Sequence, residues 1–329
     1  MDRPITIRTS GLTKSFNGHV AVDDLNLEIA KGELFGMVGP DGAGKTTTMR
    51  ILTAIMEPTS GEAWVSGYSV LNGGEKIKDK IGYMSQKFGL YEDLTVMENI
   101  IFYADLYEVP KKERPQRIER LLGFSNLNPF NDRLAGRLSG GMKQKLGLAC
   151  ALIHTPEVLF LDEPTNGVDP VSRRDFWKII YDLLREGVTI FVSTAYLDEA
   201  ERRTRICLMH KGKILMDDNP AAIKRSLGIP MIEMWSDDAR NAIEIIKAID
   251  GVKSVSLYGN KLHIAIVRSE LVDDIIVNLS RSGIVIRGHR EILPSILHIF
   301  LNLRKRFRRW LTGVKCFVPS RSTEVFLLI

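Results

Sequence analysis

Eight residues, Gly39-Pro40-Asp41-Gly42-Ala43-Gly44-Lys45-Thr46, fit the pattern G-x-x-x-x-G-K-[ST]. Glycines at these positions let successive backbone N–H groups face one anion, and a helix N-terminus adds positive potential. Lys45 can reach the β- and γ-phosphates of a nucleotide, and the Thr46 hydroxyl suits Mg²⁺. A second group lies at Val158-Leu159-Phe160-Leu161-Asp162-Glu163, an apolar run that ends in two acids. Asp162 suits Mg²⁺ through water, and Glu163 suits polarising an attacking water. A third is Leu138-Ser139-Gly140-Gly141-Met142, where Ser139 is a candidate N-cap and the glycines leave N–H donors for an anion. Taken alone, Ser-Gly-Gly is also a common turn. Phe16, about thirty residues before Lys45, offers a π-face for an adenine ring and fits a hairpin aromatic equally well.

The elements that must position these groups follow from local pattern. Leu34–Val38 is a buried strand running into the glycine loop, and Thr46 to Leu52 is the helix leaving it. Ile5–Arg8, Val20–Val22 and Leu25–Ile29 are earlier strands, and residues 72 to 80 a polar connection. Ile81 to Gln86 is a strand ending at a polar residue. Thr95 to Tyr107 repeats apolar residues on one helical face, with Thr95 and Glu98 spaced as a capping box. Residues 111 to 122 make a basic amphipathic helix. The apolar run Val158–Leu161 is a central parallel strand, Val188–Thr194 is the next central strand and ends at Ala195, and acids at a strand's C-terminal end lie where ligands bind in open α/β sheets. Asn166-Gly167-Val168-Asp169-Pro170 is a turn, followed by a helix from Val171 to Arg185. Leu197 to Arg205 is a further helix, and Arg205–Met209 with Lys213–Met216 forms a hairpin.

Near residue 225 the pattern changes to strand, helix, two strands, helix, strand, the order of a ferredoxin-like domain. Its elements are Met231–Trp235, Asp237–Ile249, Val252–Leu257, Lys261–Val267, Ser269–Arg281 and Ile284–Arg287, with a helix from Pro294 to Leu303 beyond. It contains no catalytic cluster. The expected organisation is therefore 1–225, with a helical insertion at about 88–150, then 226–303, then a tail at 304–329.

Composition narrows the function classes. The 329 residues are 44% hydrophobic and 26% charged, an ordinary globular balance. No apolar run reaches the roughly 18 residues a membrane helix needs, and the N-terminus has no apolar signal segment, so a cytoplasmic location is expected. Cys150, Cys207 and Cys316 are too far apart in sequence to suggest a metal site. Residues 304–329 hold seven basic residues and one acid, and without them 38 basic and 39 acidic residues remain. The body is near neutral, so no nucleic-acid partner is expected.

The ordered set Gly39–Thr46, Gln86, Leu138–Met142, Leu159–Glu163 and Asp169 resembles the ATP-binding cassette subunits of ABC transporters, over about residues 5 to 225. The Leu-Ser-Gly-Gly stretch between loop and carboxylate strand is what narrows a phosphate loop to this family. The resemblance implies a P-loop α/β core with an antiparallel β subdomain and a helical subdomain. It implies ATP as substrate and Mg²⁺ as cofactor, with Gly39 through Thr47 around the phosphates and Phe16 on the adenine. Thr46, Gln86 and Asp162 would hold Mg²⁺, Glu163 would be the base, and Lys45 and Gln86 would assist. Ser139, Gly140 and Gly141 would contact the γ-phosphate held by a second cassette, either a second copy or a tandem or heterodimer partner, and Asp169 would sit in the dimer loop. An integral membrane permease would be the other partner, placing the chain on the cytoplasmic face of the inner membrane as the ATPase of an exporter.

Two positions depart from that pattern. Met142 stands where the family has glutamine, and the backbone donors are unaffected. Ala195 stands where the family has a histidine that contacts the γ-phosphate, and losing one such donor costs on the order of 3 kcal/mol, or about 10²-fold in rate. Alanine there is similar to cassettes of multidrug exporters of the YbhF type, and Leu293–Phe300 is similar to the element that ends drug-exporter cassettes. Two other readings remain at this point: a soluble ABC ATPase acting on nucleic acid or ribosomes, and a nucleotide-gated module with little turnover. The basic tail with Phe307 and Trp310 fits either a membrane-surface segment or an unstructured end.

Overall fold

The computed structural model describes residues 3–87, 89–195, 204–226, 228, 230–296 and 299. The helix expected over Leu197–Arg205 and the tail lie largely or wholly outside them, as does most of the helix expected from Pro294. One compact unit runs to Asp217 and a second begins at Asp218.

In the first unit, β1 (Ile5–Phe16) and β2 (His19–Ala30) form a hairpin closed by Asn17 and Gly18, at φ 46° and 81°. Positive φ at both central residues matches the strand twist, which is why Asn-Gly occurs there. The sequence pattern breaks β2 at Asp23-Asp24. The strand instead continues through a bulge with Asp24 at φ 51°, because a short acidic side chain tolerates that conformation. With β4 (Ser60–Val65) and β5 (Tyr68–Ser69) these strands make an antiparallel sheet in the order β2-β1-β4-β5.

The second sheet carries the chemistry. β3 (Leu34–Val38), β6 (Ile81–Met84), β7 (Val158–Asp162), β8 (Thr189–Thr194), β9 (Arg205–His210) and β10 (Lys213–Asp218) lie in the order β10-β9-β3-β8-β7-β6. The pairings from β9 across to β6 are parallel. Every residue of β3, β7 and β8 is buried, as residues of strands covered on both faces should be. Parallel pairing brings the C-terminal ends of β3, β7 and β8 to one edge of the sheet. The glycine loop and Ala195 follow β3 and β8 directly, while Asp162 ends β7 and Glu163 follows it.

Helices complete the unit: α1 (Lys45–Leu52), α2 (Gly74–Lys80), α3 (Val96–Leu106), α4 (Arg114–Ser125), α5 (Gly140–Leu152) and α6 (Pro170–Arg185). The stretch expected as a polar connection contains α2. Its single buried residue, Ile77, gives too little apolar periodicity to announce a helix. Both bonds of the Thr95–Glu98 capping box are present at α3. α3, α4 and α5 fall between β6 and β7, and their apolar faces join one core with α6, including Ile100, Leu122, Leu146 and Trp177. No helix among the described residues is long and apolar enough to cross a membrane.

The second unit holds β11 (Met231–Ser236), β12 (Val252–Tyr258), β13 (Lys261–Ile266) and β14 (Ile286–Ile292), in the order β12-β13-β11-β14. Helices Ala239–Lys247 and Leu271–Arg281 pack their apolar faces on it around Ile246, Ile264 and Ile275. Among the described residues its strand pairings are all antiparallel. Strand–helix–strand–strand–helix–strand with the first strand between the third and fourth is the ferredoxin-like arrangement. The last strand begins two residues later than Ile284 and runs on to Ile292, through charged residues that leave no apolar alternation. On the sheet face away from those helices, Glu233 is buried and pairs with Lys261, His263 and Arg290.

Candidate nucleotide site

The loop is built by close backbone approach. Gly39 N–H donates to the Thr194 carbonyl at 3.3 Å, and Gly212 in the β9–β10 turn donates to the Ala43 carbonyl at 2.9 Å. A Cβ at Gly39 would lie 2.3 Å from the Met209 carbonyl oxygen, and one at Gly44 would lie 2.3 Å from that of Ala21. Gly44 caps α1 with φ 108°, a conformation side-chain-bearing residues rarely adopt. Ala43 and Lys45 are buried, whereas Asp41 and Gly42 are exposed and Thr46 and Thr47 half-buried. The loop therefore turns its backbone and two hydroxyls outward while neighbouring strands fix it from behind.

Lys45 is 4% exposed. Its ammonium donates to the carbonyls of Gly39 (2.8 Å) and Pro40 (3.1 Å) and lies 3.3 Å from Glu163 Oε1. A buried ammonium held by two carbonyls and a carboxylate is satisfied, so it needs no further partner to be stable there. A phosphate at the loop would draw it away.

Glu163 stands just past β7 with φ 49°. Its backbone N–H donates to both the carbonyl (3.2 Å) and the hydroxyl (3.1 Å) of Ser193 on β8. Positive φ at a glutamate costs on the order of 1–3 kcal/mol and persists only where the surroundings dictate it. Here it swings the carboxylate toward Lys45 and Gln86. Gln86 Nε2 donates to Glu163 Oε2 at 3.1 Å, and Asn166 Nδ2 donates to the same oxygen at 3.3 Å. Lys45, Gln86 and Glu163, far apart in sequence, thus meet at the edge of the sheet.

Asp162 is 1% exposed. Ser193 Oγ donates to its Oδ1, while Oδ2 is buried with no hydrogen-bond partner among the described residues. An ionised oxygen left bare in the interior is costly unless a cation completes it. That orphaned oxygen, with the Thr46 hydroxyl on the loop helix, fits a hard divalent cation with oxygen ligands. Tyr83 shares this pocket. Burial raises its phenol above the ordinary range, and the neighbouring Asp162 charge adds to the rise.

The other expected residues lie elsewhere on the unit. Ser139 caps α5 by accepting from Met142 N–H at 3.3 Å, and Ser139 and Gly140 are exposed. Gly141 is buried, and a Cβ there would meet Ser172 of α6 at 2.4 Å. Asp169 caps α6 through Val171 and Ser172 N–H, and the hydrogen bonds with Ser172 hold its carboxyl below the usual range. Phe16 is 42% exposed at the tip of the β1–β2 hairpin, with the Lys14 ammonium 5.2 Å from its ring centroid. Ala195 is 2% exposed at the end of β8.

Ser193 escaped the sequence reading. The parallel pairing of Asp162 with Ser193 supplies the missing signal, since a hydroxyl directly across from a terminal acid can bond it. Asn166 was visible only as a turn residue.

A sequence profile described as ABC transporter matches residues 22–166. The chain is 44% identical over 277 residues to the probable multidrug ABC transporter ATP-binding protein YbhF of Escherichia coli (strain K12), covering 82% of this chain and 47% of that protein. It therefore spans about half of that relative's length. It is 33% identical over 304 residues to the daunorubicin/doxorubicin resistance ATP-binding protein DrrA of Streptomyces peucetius, covering 90% of this chain and 92% of that protein. Among solved structures, a dimeric post-hydrolysis state of the ATP-binding cassette MJ0796 bound to ADP and Pi superposes with a TM-score of 0.60 at 25% identity, covering 65% of this chain and 98% of that one. The loop, the paired acids, the capped Ser-Gly-Gly helix and these likenesses agree, and the chain belongs to the ABC transporter family, among its ATP-binding subunits.

Proposed function

We propose that the chain hydrolyses ATP to power export of drug-like or other small molecules through a separate membrane permease, at the cytoplasmic face of the membrane. The observation that carries this reading is the convergence of Lys45, Gln86 and Glu163 beside the bare Asp162 oxygen. In this reading the Gly39–Thr47 backbone binds the phosphates and Phe16 stacks on the adenine. Thr46, Gln86 and Asp162 would hold Mg²⁺, which when bound neutralises developing phosphate charge. Lys45 leaves the Gly39 and Pro40 carbonyls for the phosphates. Glu163, released on its Oε1 side, takes the proton of the attacking water. Exposed Ser139 and Gly140, with Gly141 behind them, face a second cassette, whose own loop they complete across a dimer that also involves Asp169. Closing and reopening that dimer is the stroke passed to the permease.

Pull-down of the full chain from native membranes, with mass spectrometry of what co-purifies, tests the export reading. We expect an integral membrane protein at near-equal stoichiometry, and ATP-dependent extrusion of amphipathic dyes from vesicles holding both. Co-purification of ribosomes or nucleic acid instead would overturn it in favour of the soluble reading.

Ala195 favours a second possibility, a nucleotide-gated module of low turnover. Steady-state phosphate release with Ala195→His separates the two. If the missing γ-phosphate donor limits the site, the variant gains up to about 10²-fold. A gain below twofold would mean that other groups already serve the γ-phosphate.

A further inference from the structure

Among the described residues, three side chains reach the Glu163 carboxylate, and one of them has no assigned role. Lys45 lies against Oε1, and Gln86 donates to Oε2 from the exposed end of the segment after β6. Asn166 Nδ2 donates to Oε2 from the turn that carries Glu163 itself. The Asn166 backbone N–H also donates to the Glu163 carbonyl at 3.1 Å, so side chain and turn close on the same residue. The last torsion of a glutamate is broad and two-fold, so packing alone does not select a carboxylate orientation. A donor fixed on one oxygen does. The buried methyl of Ala195, at the end of β8, has no group to contribute.

We propose that Asn166 is a positioning residue for hydrolysis: its amide holds Glu163 Oε2 so that Oε1 faces the water attacking the γ-phosphate. The proposal rests on Glu163 being the base. Lys45 leaves Oε1 when phosphates enter, and Gln86 sits on an exposed segment. The Asn166 contact is local to the turn and remains when Lys45 leaves. A carboxylate free to rotate presents its oxygens to the water for only part of the time, and misplacement on this scale costs about tenfold or more in rate.

The test uses the full chain with Asn166→Asp, which keeps the shape and cannot donate, and Asn166→Ala, which removes the donor without adding charge. Both are expected to lower kcat for ATP about tenfold while KM, affinity for a non-hydrolysable ATP analogue and the thermal midpoint stay within twofold or 2 °C, on the order of the scatter among surface variants. In a Glu163→Gln background, single-turnover rates with and without Asn166→Ala are expected to differ by less than twofold. Unchanged kcat in both single variants, with Glu163→Gln inactive, would overturn the positioning role and leave Glu163 as base. Parallel loss of kcat, KM and midpoint in both backgrounds would overturn it in favour of a structural turn. Full turnover in Glu163→Gln alone would refute the assignment of the base, on which the proposal depends.

Discussion

Glu163→Gln is expected to abolish steady-state ATP hydrolysis, by at least about 10²-fold, while nucleotide affinity stays within a few-fold. The change is isosteric. It keeps an oxygen that can accept from Gln86 and Asn166, and it removes the negative charge together with the ability to take a proton. The loop N–H groups, the Lys45 ammonium and the bare Asp162 oxygen are all retained, so the binding apparatus is intact. Lys45 loses its ion pair with Glu163 but keeps the two carbonyls. An ammonium bound less firmly to the protein is freer to turn to phosphate, so affinity should if anything rise. Two measurements suffice: phosphate release at saturating Mg-ATP, and equilibrium binding of a fluorescent ATP analogue. The variant should also accumulate as a dimer with Mg-ATP on a sizing column, because closure is no longer relieved by hydrolysis. Turnover equal to that of the parent protein would refute Glu163 as the base.

Much of the framework around the candidate site is legible in the sequence. The glycine loop, the acid pair and the capped Ser-Gly-Gly helix are local patterns whose chemistry is fixed by residue type and spacing. The central strands β3, β7 and β8 were legible from the mainly apolar stretches Leu34–Val38, Val158–Leu161 and Ile190–Val192. What sequence could not convey is relations across chain distance. Gln86 and Asn166 converge on one oxygen although 80 residues separate them in sequence. The Ser193–Asp162 bond depends on strand register, which no local pattern sets. The positive φ of Glu163 is equally invisible, since nothing in Leu-Asp-Glu-Pro announces a left-handed glutamate. Helix α2 was hidden for a different reason, having a single buried side chain. Asp24 misled because an acidic pair usually ends a strand, whereas here it forms a bulge within one.

The largest expected loss of nucleotide binding comes from the loop glycines, and each fails for its own reason. Gly42→Ala meets open space and pays only for φ 77°, about 1 kcal/mol. Gly39→Ala has an ordinary φ but drives a methyl to 2.3 Å from the Met209 carbonyl oxygen, so β3 and β9 must part where they pair. Gly44→Ala suffers both: φ 108° and a methyl 2.3 Å from the Ala21 carbonyl. Overpacking and a forbidden dihedral together cost on the order of 3 kcal/mol. For a unit of this size that lowers the thermal midpoint by about 5–10 °C. A backbone shift of about 1 Å in the same loop misaims the phosphate donors and weakens ATP binding by about 10²-fold. Thermal melting and ATP titration of the three variants should therefore rank Gly42→Ala mildest and Gly44→Ala worst, with Gly39→Ala losing binding despite its permitted φ. If Gly39→Ala binds ATP as well as Gly42→Ala does, the contact with Met209 is not what shapes the loop, because dihedral strain would then account for the whole series.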